Sequence, residues 1–214
     1  MKLIDLTHTI GETMPVYPGT PAPSITVSSS HKADGFQEHQ LILYSHIGTH
    51  IDAPNHVLPQ GKTLDQFPLD HFAGKALVID CSAKQAGEEI TLEDLQPLRE
   101  KADKADFLLF YTGWANHWGT QQYWEAYPRL AIEVIDYLLE SKKKGVGLDT
   151  CGLDPVSDSA LPRHHRLLSS GSCIILENLK NLEKVRADFF TLLAFPLKLT
   201  QTDGAPARVV AWLK

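Results

Sequence analysis

The chain has 214 residues, 43% of them hydrophobic and 21% charged, which fits one domain spanning 1–214 with a core of its own and excludes disordered and fibrous classes. Its formal charge of −6 comes from 26 acidic and 20 basic residues with the bases scattered, so the basic face that nucleic-acid binding requires is missing. Three distant cysteines, Cys81, Cys151 and Cys173, form no C-x-x-C pair, which points to a reducing, cytoplasmic setting without a disulfide framework.

The opening MKLIDLTHTI interrupts its apolar residues with charged and polar ones, so neither a secretory signal nor a membrane span is expected. Residues 2–6 and 25–27 read as short strands, separated by a stiff stretch with Pro15, Pro18, Pro21 and Pro23. Residues 40–44 (QLILY) form a further strand candidate that ends at a histidine-rich run. The continuous apolar stretches 76–81 and 107–111 fit strands buried on both faces. Between them Thr91, with Asp94 three residues on, reads as a capped helix start.

Residues 130–139 carry apolar side chains at helical spacing, and the triple lysine at 142–144 followed by Gly145 is expected to mark that helix's C-terminus. A strand at 145–148, a helix at 161–170 beginning near Pro162, and strands at 173–176, 192–199 and 208–212 complete the pass. The ends are β-rich while the middle alternates β, α, β, α, β, which predicts an α/β fold with a mixed sheet.

The run S-H-I-G-T-H-I-D-A-P-N-H, residues 45–56, places His46, His50, Asp52 and His56 at i, i+4, i+6 and i+10. Gly48 and Pro54 argue against a helix there. On an extended, bent segment all four have the same parity and can face one point. Imidazole and carboxylate are ligands for zinc, manganese or iron(II), and a site with an open position can activate water. Ten histidines occur in the chain, but three of them within eleven residues, with an aspartate in register, favour metal binding over chance.

The same residues carry a resemblance. H-I-G-T-H-I-D-A-P-N-H matches the H-x-G-T-H-x-D-x-P-x-H signature of the cyclase-like metal-dependent hydrolases, which include bacterial kynurenine formamidases and isatin hydrolases. The likeness takes in D-L-T at 5–7, V-Y-P-G at 16–19, G-L-D-T at 147–150, L-E-N-L at 176–179 and F-P-L-K at 195–198. It implies a compact domain of the swivelling β/β/α type, dimeric or tetrameric, acting on a small molecule and holding one or two zinc or manganese ions.

By this resemblance His46, His50 and Asp52 are metal ligands, with Asp52 the bridge if two ions bind, and His56 transfers protons. A distal glutamate corresponds to Glu177. A distal histidine is either His164 or His165, and a separation of twelve residues from Glu177 favours His165. Tyr17 would line the substrate pocket. The residues alone leave other readings open: Glu177 could be a solvated strand end, the R-H-H-R stretch a basic helix face, and Asp149 and Asp154 either ligand-orienting groups or turn caps. Trp114, Trp118 and Trp124 read as core. None of the cysteines has a base beside it, so a nucleophilic role is not expected.

The implied activity is hydrolysis of an amide-type C–N bond, as in an arylformamidase. A lactam-opening hydrolase or a cyclase of the same family is the nearest alternative, and a metal-binding protein without catalysis is the alternative of another class.

Overall fold

The apolar stretch Phe107–Tyr111 buries both of its faces, with Phe107 and Leu109 in one core and Leu108 and Phe110 in another. That division organises the molecule, because a strand with period-two side chains and no polar face must sit between two apolar layers. The computed structural model describes residues 1–185 and 188–213. Over these the strands are β1 (Lys2–Asp5), β2 (Ser24–Ser29), β3 (Glu38–Ile42), β4 (His50–Asp52), β5 (Ala73–Asp80), β6 (Glu89–Ile90), β7 (Phe107–Tyr111), β8 (Arg129–Leu130), β9 (Gly145–Leu148), β10 (Ile174–Glu177), β11 (Phe190–Pro196) and β12 (Gly204–Leu213). The helices are α1 (His31–Asp34), α2 (Leu92–Leu95), α3 (Arg99–Lys104), α4 (Ile132–Glu140) and α5 (Pro162–Leu168).

The main sheet runs β1-β12-β11-β5-β7-β9-β10-β4, and β4 pairs again with β12. The long last strand closes the sheet because its first residues, Gly204–Pro206, pair with β4 while its far end pairs with β1. The result is a barrel-like α/β fold with a mixed sheet, parallel through β5, β7, β9 and β10 and antiparallel elsewhere. One core fills the ring, with Leu6, Ile51, Phe107, Leu176 and Val209 among its members. The other lies between the outer face and the helices, and includes Leu108, Phe110, Ala102, Val134 and Leu167.

β2 and β3 form a separate two-stranded sheet, as do β6 and β8. Thr91 opens α2 with the expected reciprocal capping, Asp94 Oδ2 accepting from its backbone N–H at 2.7 Å. The triple lysine differs from expectation. α4 has already ended at Glu140, and Lys143 is buried, its ammonium donating to the carbonyls of Ala102, Asp103 and Ala105 at 2.6, 3.1 and 2.7 Å. The cation therefore caps the C-terminal end of α3, a different helix, where orphan carbonyls gather.

Candidate metal centre

Backbone bends on both sides of β4 gather the histidine run. Gly48, at φ +59°, turns the chain between His46 and His50 through the left-handed region that glycine enters without strain. His50 and Asp52 then share one face of β4. Pro54–His56 forms one turn of 3₁₀ helix with proline in its first turn, and this carries His56 back over the strand. The same-parity arrangement thus holds on the strand itself for His50 and Asp52, while His46 and His56 arrive from the bends.

Register supplies the rest. β4 pairs antiparallel with β10 so that His50 stands opposite Glu177, and with β12 so that Asp52 stands opposite Gly204. His50 Nε2 lies 3.2 Å from Asp52 Oδ1 and 3.4 Å from Glu177 Oε2. His164 enters from α5, its Nε2 3.1 Å from Glu177 Oε1 and 3.8 Å from Asp52 Oδ2. His46 Nδ1 meets Asp52 Oδ1 at 2.7 Å, and the His46 and His56 rings lie 4.0 Å apart. His50, Asp52, His164 and Glu177 are buried; His46 and His56 are about a quarter exposed at their side chains, 23% and 25%.

Hydrogen bonds behind the cluster fix which nitrogen faces it. His50 Nδ1 donates to the Gly48 carbonyl at 2.8 Å. Asn178 Nδ2 donates to the same carbonyl at 2.8 Å and is itself held by the Tyr123 hydroxyl at 2.7 Å. His164 Nδ1 meets Asp154 Oδ2 at 2.7 Å, and that carboxylate also accepts the backbone N–H groups of Arg163 and His164, each at 3.0 Å. Both rings therefore turn Nε2 toward Asp52 and Glu177, the orientation that partners behind a metal-binding histidine impose.

Burial disfavours charge on His50 and His164, yet the carboxylates beside them outweigh it and push each up to about 10. His46 is pushed up to about 9 by Asp52 and Asp203 against the same burial. Asp52 is held well below the carboxylate range by His46 and His50 despite full burial. His56 moves the other way, lowered by burial with Asp52 only partly offsetting it.

These residues fit a divalent transition metal. The ligand atoms of His50, Asp52 and Glu177 lie within 4.8 Å of one another, as do those of His46, Asp52 and His56. Bonds of about 2.1 Å in tetrahedral geometry place ligand atoms about 3.4 Å apart, close to the 3.2 and 3.4 Å measured around His50. Asp52 Oδ2 is buried with no hydrogen-bond partner, in a place where an unpaired carboxylate oxygen is costly and a cation would satisfy it. Asp52 belongs to both triads.

The expected distal ligand is corrected. His165 is exposed, while His164 reaches the cluster. The reason is the phase of α5, which buries His164, Leu167 and Leu168 on one face. That i, i+3, i+4 pattern was readable from R-H-H-R-L-L and outranks a residue separation. Glu177 is a buried member of the cluster and not a solvated strand end.

Tyr17 borders the cavity that opens over the cluster, about 310 Å³ in volume, its hydroxyl donating to the Val156 carbonyl at 3.3 Å. Trp114 is core, but Trp118 and Trp124 are half-buried and line that cavity. Asp154 orients His164, whereas Asp149 accepts from the N–H groups of Thr112 and Gly113 at 3.0 and 2.8 Å and fixes the turn after β7.

Asp203 was not legible in the sequence. Its Oδ2 lies 2.8 Å from His46 Nε2 and 3.4 Å from His56 Nδ1, and the bond from His46 holds its carboxyl far below the usual range. It sits at the turn into β12, 157 residues from His46, where only the closing of the barrel brings it over the histidines.

Comparison with known proteins agrees with this geometry. The family profile described as "Putative cyclase" matches residues 4–155. A kynurenine formamidase of Salinibacter ruber is 32% identical over 98% of this chain and 97% of its own length. A solved structure described as a potential metal-dependent hydrolase with cyclase activity superimposes with a TM-score of 0.81 at 32% identity, covering 98% of this chain and 96% of that one. Isatin hydrolase A from Labrenzia aggregata superimposes with a TM-score of 0.86 at 26% identity, covering 98% and 93%. The full-length match, the barrel closed by its last strand and the buried His/Asp/Glu cluster place this chain in the cyclase family of metal-dependent hydrolases.

Proposed function

We propose that this protein hydrolyses an amide-type C–N bond on an aromatic substrate, as an arylformamidase does, with zinc or manganese held by His46, His50, Asp52, His164 and Glu177. The observation that carries the reading is Asp52 Oδ2, buried and without a hydrogen-bond partner at the centre of a histidine and carboxylate cluster below an aromatic-lined cavity. The bound ion supplies Lewis acidity and a water of lowered pKa.

The chain's own residues supply the proton traffic. His56, kept uncharged at neutral pH by burial, stands at the cavity edge of the cluster. It accepts the proton of the water that attacks the carbonyl carbon, and Asp203 beside Nδ1 steadies the imidazolium so formed. As the C–N bond breaks, His56 returns that proton to the leaving nitrogen. A formanilide gives arylamine and formate; a cyclic amide opens to an amino acid. Likeness to both a kynurenine formamidase and an isatin hydrolase keeps these two substrate shapes together.

The test is a panel of N-formyl aryl amines, cyclic amides and lactones assayed with zinc and with manganese. His56→Ala is expected to keep its metal and lose roughly 10²–10⁴-fold in kcat. A variant that keeps both metal and full formamide-hydrolysing rate would show that His56 has another role.

A further inference from the structure

The cavity differs sharply between its floor and its walls. Away from the cluster it is bounded by Pro15, Val16, Tyr17, Tyr44, Trp118 and Trp124, with the hydroxyls of Thr20 and Ser45 between them. Tyr17 and Trp124 meet edge to face, centroids 6.1 Å apart, and Trp118 stacks on His8 at 4.0 Å. Among the described residues that line the cavity none is lysine or arginine. Arg163, next in the chain to His164, is committed elsewhere: to Glu89 at 2.6 Å, to the Leu130 carbonyl at 2.8 Å and to Asp154 at 3.5 Å. Apart from the cluster histidines, the charged side chains lining the space are acids, Asp154 and Glu177.

A carboxylate on the substrate would thus leave water for ring faces and hydroxyls, with no lysine or arginine among the described lining residues to receive it, and at the metal centre it would compete with the reacting carbonyl. The volume of about 310 Å³ lies at the small end for ligand cavities. An aromatic ring with a short acyl group fits such walls, which offer edge and face contacts and a few hydroxyl bonds.

We propose that the enzyme selects compact aromatic amides that carry no charged arm, and discriminates against the same reacting group when it bears an α-amino acid side arm. This rests on the amide-hydrolase reading of the site and narrows it. The contrast is between two formanilides with identical chemistry at the scissile bond: water adds to the formyl carbon, the C–N bond breaks, and formate and an ortho-acyl aniline leave. They differ only in whether the ortho acyl group ends in a methyl or in the zwitterionic arm.

The metal-loaded protein is assayed with N-(2-acetylphenyl)formamide and with N-formylkynurenine. The expected kcat/KM is at least tenfold higher for the acetyl compound. In Thr20→Arg, which places a guanidinium on the wall, the ratio is expected to narrow at least fivefold in favour of the amino acid substrate. Equal or better turnover of N-formylkynurenine by the native protein overturns the inference while leaving the hydrolase reading intact, and a ratio unmoved by Thr20→Arg overturns its basis in charge. Hydrolysis of neither compound overturns the amide-hydrolase reading and the inference with it.

Discussion

Gly204 faces the cluster across the β12–β4 pairing, and replacing it with alanine tests whether His46 is held where a metal needs it. A Cβ at this position would stand 2.6 Å from His46 Cε1, 2.9 Å from His46 Nε2 and 2.8 Å from the Ile51 carbonyl oxygen. Ordinary carbon contacts begin near 3.5 Å, so the His46 ring must retreat by about 1 Å, and the contact with the Ile51 carbonyl must be relieved separately by a small shift in the β12–β4 pairing. That motion breaks the 2.7 Å contact with Asp52 and the 2.8 Å contact with Asp203. Misplacing a ligand, or its support, weakens metal affinity by about 10–100-fold, and the overpacking costs roughly 1–3 kcal/mol of stability.

The assay is competition with a chromophoric chelator, run beside thermal melts that confirm folding. Gly204→Ala in a His46→Ala background should cost less further affinity than in the native protein, since only the contact with the Ile51 carbonyl then remains. If Gly204→Ala binds zinc as the native protein does, or if its loss persists undiminished without His46, the geometry argued for His46 is wrong.

Two further effects follow from named contacts. Asp154→Asn removes the carboxylate that pins His164 Nδ1 at 2.7 Å. Metal affinity in a calorimetric titration should fall about 10–100-fold with the fold retained, and an unchanged affinity would mean that His164 needs no such support. His8 is pushed down to about 4 by burial and then by Lys180, so between pH 4 and 6.5 the folded state binds fewer protons than the unfolded one. Stability from this group is complete above pH 6.5 and drains away as pH falls through that window, with a ceiling of about 3 kcal/mol at 1.36 kcal/mol per pH unit. His8→Phe, which can keep the stack on Trp118, should flatten that slope in urea melts of the metal-free protein between pH 7 and 5; an unaltered slope would exonerate His8.

Much of this site could be read from residues 45–56 because the ligands lie close in sequence and their spacing survives any fold that keeps the strand extended. Glu177 was within reach as a carboxylate ending an apolar strand. The choice between His164 and His165 failed for a physical reason: a helix face is decided by its apolar companions, and Leu167 with Leu168 commits His164 inward. Asp203 and Gly204 gave no local signal, since their meaning comes from barrel closure, which pairs β12 with β4. The lysines at 142–144 misled because cation chemistry at a helix end was right but the helix was α3. Strand cores at 76–81 and 107–111 were legible because burial on both faces leaves no polar alternation.

On this reading His50, Asp52, His164 and Glu177, with His46 beside them, form a metal site built around an Asp52 oxygen that lacks a hydrogen-bond partner. Calorimetric titration of metal-free protein with zinc and with manganese at pH 7, in buffers of different ionisation enthalpy, tests it most directly, with Asp52→Asn alongside. His50 and His164, both pushed up to about 10, enter the titration protonated, so binding must displace at least two protons. The account predicts saturable binding of one or two ions per chain, release of at least two protons, and loss of that binding in Asp52→Asn. Absence of saturable binding, or binding that Asp52→Asn leaves untouched, would contradict it.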